Sequence, residues 1–326
     1  MQKITKHFFT LLRISLAAAL LIYLGRSGSI DWSSLTGLAS AWQYTLLATL
    51  LFILGNLFLA WRLKILVNAR SMHLSLLAAV RLTFIGLFFN TYLPGATGGD
   101  IVKIYYASKG NPGSRAEVVT ILLLDRFIGL FCLLTLPLLL APFFSEMIQS
   151  HAILQALLGL SLLISTGIIV TVTIALMADL VNSKLFCWFY EKLPFGDLLR
   201  RILETVNAYR HNKIIILQAV MFSFMVQLLT IGMSLSLAEA TNSLGADSKM
   251  VALIPLGFLA NSLPVTPGGI GVGEAAMDNL FGLFSLGGGA EVVLSWRLIM
   301  AVVGLLGLFF YLRGEKRFVF NRPQDS

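Results

Sequence analysis

An all-α polytopic membrane protein is what this sequence predicts, and three observations carry the prediction. Hydrophobic residues make up 57% of the 326 positions and charged ones 12%, far from the roughly 25% charge of a soluble domain. Apolar runs recur along the whole chain, and the longest hydrophilic stretch is 178–213. Two of the apolar runs break at related stretches, 90–100 (NTYLPGATGGD) and 261–274 (NSLPVTPGGIGVGE), each passing through Leu-Pro, three residues and Gly-Gly. Proline removes a backbone donor and paired glycines widen the allowed backbone angles, so neither stretch continues a helix cleanly.

Taken in order, the chain reads as one membrane domain over 1–326 with six spans and two re-entrant helix hairpins. Lys3, Lys6 and His7 precede a first span at about 8–24, read as uncleaved, with Arg13 able to snorkel to the interface. A second span at about 42–61 ends at Arg62, Lys64 and Arg70. The first broken segment, about 74–107, contains Arg81 and has basic residues on both flanks, as a hairpin entering and leaving on the cytoplasmic side would. A third span at about 118–143 carries Asp125-Arg126, and a fourth occupies about 152–177. In the basic segment 178–213, Leu198, Leu199, Ile202, Leu203 and Val206 recur at helical spacing, which suits a cytoplasmic helix lying in the interface. The fifth span, about 214–238, the second broken segment, about 251–286, and the sixth span, about 292–312, complete the chain.

Loop charges orient these elements. Of the 24 lysines and arginines, only Arg26 and Lys249 fall in loops assigned outside, while Arg13, Arg81, Arg126 and Arg297 lie in or at the edge of spans. The others mark the cytoplasmic side and place both termini there. Passing each broken segment once through the bilayer would put the basic residues of 178–213 outside, so hairpins opening to opposite sides are expected, the pattern of an inverted repeat. The net charge of +8 sits beside apolar spans and forms no long basic stripe with interleaved aromatics, so nucleic acid is not the expected partner. Two cysteines and four scattered histidines suggest neither a disulfide framework nor a metal site, and no cofactor is expected.

Irregular backbone at membrane depth must be buried in protein or face a polar cavity. The helices starting near Asp100 and Glu274 would aim free N–H groups into such a cavity, a geometry that binds phosphate or carboxylate. The candidate substrate-binding set is therefore Arg81, Asn90, Gly98, Gly99, Asp100, Asp125, Arg126, Asn261, Gly268, Gly269 and Glu274. Arg81 is costly in an apolar segment unless it meets a partner or a ligand, and a phosphate or an ion pair with Asp100 or Asp125 would satisfy it. Asp125 and Arg126 point about 100° apart on a helix, so they cannot both face one site; one is expected to lock a neighbouring helix, and Arg126 is favoured for the cavity. Asp100 and Glu274 are either helix caps or carriers of a proton or a cationic headgroup. Asp278 and Arg297 are weaker candidates. Gly269-Ile270-Gly271-Val272-Gly273 resembles a nucleotide-binding loop but follows an apolar segment and not a strand, so it reads as close-packing backbone.

Arg81, Asn90, Leu93-Pro94-Gly95, Gly98-Gly99-Asp100, Asp125-Arg126 with Gly129-Leu130, Pro264, Pro267-Gly268-Gly269-Ile270-Gly271-Val272 and Glu274 together resemble the lysylphosphatidylglycerol synthase transmembrane-region family, also called flippase-like-domain proteins. The resemblance covers nearly the whole chain. In a well-known member, the multiple peptide resistance factor, a similar region is associated with moving an aminoacylated lipid between leaflets, and a separate cytosolic domain makes that lipid. The chain shows no such domain, so the resemblance implies a translocase of phosphate-bearing lipid in a bacterial or archaeal cytoplasmic membrane and not a synthase. The alternative expectation is a non-transporting partner that presents lipid-linked substrates to a glycosyltransferase or other envelope enzyme. Self-association is left open.

Overall fold

The computed structural model describes residues 36–70, 72–92, 98–109, 115–177, 207, 209, 212–241, 246–262, 266 and 269–313. The first predicted span, nearly all of the 178–213 segment and the Leu-Pro steps of both breaks lie outside these residues. The described chain is all-helical in its regular structure. Its main helices are α1 (Trp42–Asn68), α2 (Leu76–Tyr92), α3 (Gly98–Lys109), α4 (Arg115–Leu140), α5 (Ala152–Met177), α6 (Lys213–Ala240), α7 (Ser248–Ser262), α8 (Val272–Gly282) and α9 (Gly289–Leu312).

Among the described residues, five stretches are long and apolar enough to cross a bilayer: Trp42–Asn68, Glu117–Gln149, Ala152–Thr173, Lys213–Ala240 and Gly289–Leu312. They match the second to sixth predicted spans. At about 1.5 Å of rise per residue, the 27 residues of α1 reach about 40 Å, beyond the roughly 30 Å hydrocarbon thickness. Their outer faces remain apolar: Ile214, Leu217, Met221, Met225 and Leu228 form an exposed stripe along α6, and Leu298, Val302, Leu305 and Phe309 do the same on α9. In water such stripes would be a liability; against acyl chains they are the expected surface.

With no hydrophobic drive between helices in lipid, close packing falls to small residues. Helix α1 packs most extensively on α6, and the two run antiparallel, because Trp61 meets Phe222 with ring centroids 5.4 Å apart while Leu51, earlier in α1, sits beside Gly232, later in α6. Helix α9 lies antiparallel on α2, where Gly304 faces Phe88 and Gly307 brings the helix against the carbonyl of Phe84; a Cβ at Gly307 would collide with that carbonyl.

The two broken segments fold back on themselves as hairpins. In the first, Gly86 on α2 takes the aliphatic stem of Lys103 on α3, and Gly99 sits against Gly86 and Asn90. In the second, Gly257 on α7 packs against Met277 on α8, and Gly273 packs against Asn261. In each of the α2/α3 and α7/α8 pairs, glycines thus leave room for the close approach of the facing helix.

Candidate functional site

The closed end of each hairpin carries the same set of side chains. In the first, the Gly99 N–H donates to Asn90 Oδ1 at 2.8 Å, and Asp100, in the first turn of α3, pairs with Arg126 on α4 and lies 3.9 Å from Lys103 Nζ. In the second, Glu274, in the first turn of α8, accepts from Arg297 Nε on α9 at 2.5 Å and from the Gly271 N–H at 2.8 Å, while Arg297 Nη2 donates to Asn261 Oδ1 at 2.7 Å. Each site therefore has an asparagine near the end of the incoming helix, a glycine directly before an acid in the next helix, and an arginine on the helix after that. The register agrees: 261 less 90 and 297 less 126 are both 171, and so is 213 less 42, the distance between the first residues of α6 and α1.

Local backbone explains why these residues meet. Gly269 and Gly271 adopt φ of 70° and 82°, in the left-handed region where a side chain is strained. A Cβ on Gly269 or Gly273 would also collide with Asn261, and one on Gly99 with Gly86 and Asn90. Acids in the first turn of α3 and α8 complement the positive end of each helix dipole. Thr266 Oγ1 donates to the Ile270 carbonyl at 2.7 Å, tying the strained turn to the chain before it.

The two sites differ in enclosure. Glu274 is fully buried and the Arg297 side chain 14% exposed, whereas Asp100 is 19% and Arg126 44% exposed. The second site is the more enclosed of the two and the first is partly open.

A third charged cluster links α1, α4 and α6. Arg62 Nε and Nη2 bind the two oxygens of Asp125 at 2.6 and 2.9 Å, and Nη1 donates to Ser223 Oγ at 2.6 Å. Ser223 in turn donates to the Ala219 carbonyl at 2.8 Å. The bidentate fork is the strong form of an arginine–carboxylate pair, and with Arg62 almost completely buried it acts as a three-helix lock.

A cavity of about 300 Å³ lies between α1 and α6 and extends to the second site. Asn56, Gln227, Thr230, Asn261 and Trp296 line it together with apolar residues that include Leu87, Leu133 and Phe258. Asn56 and Gln227 are again 171 apart, each near the middle of its long helix, where α1 and α6 cross. A second, apolar cavity of about 380 Å³ is walled by α4, α5 and α6, with Phe127, Phe131, Ile168 and Val172 among its lining.

Against the candidate set, the structure brings Asn90, Gly99, Asp100 and Arg126 into one site and Asn261, Gly269 and Glu274 into the other. Gly98 opens α3, Gly268 lies outside the described residues, and Arg81 is half-buried and engaged on α2. Asp125 faces Arg62. Reading Arg62 as an interfacial cation at the end of a span stopping near Trp61 needs correction: α1 runs on to Asn68, so Arg62 lies well inside the helix and is buried. Ser223, Asn56 and Gln227 were not singled out from the sequence, and Arg297 was rated too low. The 171-residue register, applied to Arg126 and Asn56, would have pointed to Arg297 and Gln227.

Five long apolar helices and two folded-back hairpins that end in acid–arginine clusters define a polytopic membrane protein with internally related sites. The lysylphosphatidylglycerol synthase transmembrane-region family model matches residues 10–313, and the chain belongs to that family. It is 26% identical over 264 residues to a UPF0104 membrane protein of Pyrococcus horikoshii, covering 73% of this chain and 76% of the relative. No solved structure matches it.

Proposed function

We propose that the protein is a lipid translocase, moving a phosphate-bearing lipid or lipid-linked headgroup across the cytoplasmic membrane between two re-entrant hairpins related as an inverted repeat. The observation that carries this reading is the doubled Asn–Gly–acid–Arg site, placed on halves whose corresponding helices α1 and α6 run antiparallel with a cavity at their crossing. Inverted repeats with broken helices around a site at the bilayer midplane are a recurrent transporter design.

In this reading the two sites act as gates. The more enclosed Glu274–Arg297–Asn261 cluster closes one side, and the partly open Asp100–Arg126 cluster admits the headgroup on the other. Arg81 and Arg126 are assigned to the phosphate and the two acids hold the gate arginines. Exchange of the closed and open states between halves would carry the headgroup across, while acyl chains stay in lipid or in the apolar groove of α4, α5 and α6.

The test is translocation by the purified protein in proteoliposomes carrying fluorescent phosphatidylglycerol, read by dithionite bleaching of the inner leaflet's probe. Vesicles with protein should lose nearly all fluorescence and protein-free vesicles about half. Identical bleaching of the two, with folded protein inserted, rejects the translocase reading and leaves the substrate-presenting partner of an envelope enzyme. Arg81→Ala that inserts and translocates normally removes Arg81 from the phosphate.

A further inference from the structure

The polar groups lining the α1/α6 cavity have a definite chemical character, and among the described residues none is charged. Gln227 has no hydrogen-bond partner among the described residues. Asn261 offers its Nδ2, since Oδ1 is held by Arg297, and Asn56, whose Nδ2 donates to the Phe52 carbonyl at 2.9 Å, lines the cavity beside them. Gln227 is half-buried and Asn56 keeps its Oδ1 open, so the cavity wall at mid-helix presents amide groups with bonding capacity to spare, which a polar guest can take up. An amide presents a donor and an acceptor in one plane, which matches neighbouring hydroxyls that each donate and accept. Trp296 adds a flat apolar face, held perpendicular to Phe258 at 5.2 Å. Among the described residues a cation would find no free counterion here, since the nearby Glu274 is fully buried and already neutralised by Arg297.

We infer that, beyond the phosphate, the cavity accepts an uncharged polyhydroxylated group such as an inositol, a glycerol or a sugar, and rejects a cationic aminoacyl group. This deepens the translocase reading and rests on it, yet it has its own readout. Proteoliposomes would carry fluorescent phosphatidylinositol or fluorescent lysylphosphatidylglycerol, two lipids that share the phosphate. Phosphatidylinositol should move at least about tenfold faster, about 1.4 kcal/mol in barrier terms. Gln227→Leu should erase that preference, and Gln227→Glu, which supplies the missing carboxylate, should turn it toward the lysyl lipid. Equal or faster movement of the lysyl lipid by the unaltered protein overturns the inference while translocation stands, as does an unchanged preference in both folded variants.

If neither lipid moves, the translocase reading fails and binding decides the inference alone. Quenching of tryptophan fluorescence in detergent should then show phosphatidylinositol bound about tenfold tighter than the lysyl lipid, with the difference lost in Gln227→Leu. Equal affinities overturn it. Free inositol phosphate competing as well as the lipid upholds the chemistry and makes the ligand a soluble polyol phosphate; failure to compete upholds it with the lipid as the source.

Discussion

Arg297 Nε lies 2.5 Å from Glu274 Oε1, and the same guanidinium reaches Asn261 Oδ1 at 2.7 Å, so one side chain on α9 joins both arms of the second hairpin. Glu274 is fully buried. Removing one partner of such a pair leaves an uncompensated charge, which costs about 3–5 kcal/mol, whereas replacing both with apolar residues is often neutral. Arg297→Ala should therefore lower the thermal stability of the detergent-solubilised protein far more than Arg297→Met combined with Glu274→Leu. Equal losses in the two would show that the pair is not buried as described.

The first site makes a milder prediction. Because Asp100 and Arg126 are partly exposed, Arg126→Ala should destabilise less than Arg297→Ala, with solvent screening the stranded carboxylate. Thermal unfolding of the two variants side by side checks the order. A reversed order would contradict the difference in enclosure between the hairpins.

Glycines at the hairpin contacts give a steric test. Gly99→Ala drives a Cβ into the Gly86 carbonyl and the Asn90 side chain, and Gly269→Ala combines a collision with Asn261 and a φ of 70°. Both should impair folding or translocation, whereas Gly159→Ala, with no atom within 4 Å of the added Cβ, should be silent. Size-exclusion profiles and lipid translocation measured together separate the cases. Wild-type behaviour of Gly269→Ala would remove the strained turn from the account.

The three-helix lock predicts coupling between Arg62 and Asp125. A double-mutant cycle of Arg62→Met and Asp125→Leu should return an interaction free energy at the upper end of the 0.5–3 kcal/mol range for residues in contact. Ser223→Ala should cost about 1.5–3 kcal/mol, the range for a hydrogen bond to a charged group. A cycle that closes with no coupling would reject the bidentate pair.

Orientation can be read directly. With Cys132 and Cys187 replaced, single cysteines at Arg70, Lys213 and Arg313 should react with a membrane-impermeant maleimide only from the cytoplasmic side, and cysteines at Ser150 and Lys249 only from outside. Labelling of Arg70 and Lys249, which follow the equivalent helices α1 and α6, from the same side would reject the proposed inverted repeat.

Much of the chain's organisation was legible because membrane burial writes itself into composition. Long apolar runs foretell α1, α4, α5, α6 and α9, and Pro with paired Gly foretells two interruptions. The 171-residue register is also present in the sequence, linking Asn90 with Asn261 and Arg126 with Arg297. Its value was hidden by the unequal turns: Asp100 comes ten residues after Asn90, but Glu274 comes thirteen after Asn261. Arg62 misled because a cation at the end of an apolar run marks an interface in most helices, and only its contact with Asp125 shows that the helix continues past it.

The sequence by itself determined the solvent of this protein, the places where its helices break and the residue types at each break, because lipid tolerates neither unpaired backbone nor long polar runs. Tertiary structure alone decided which charges neutralise each other, that Arg62 takes Asp125 while Arg126 takes Asp100, and that Asn56 and Gln227 meet at the α1/α6 crossing. Those outcomes depend on antiparallel packing between segments far apart in the chain. Spacing along a helix tells which residues share a face, but not which partner that face will meet.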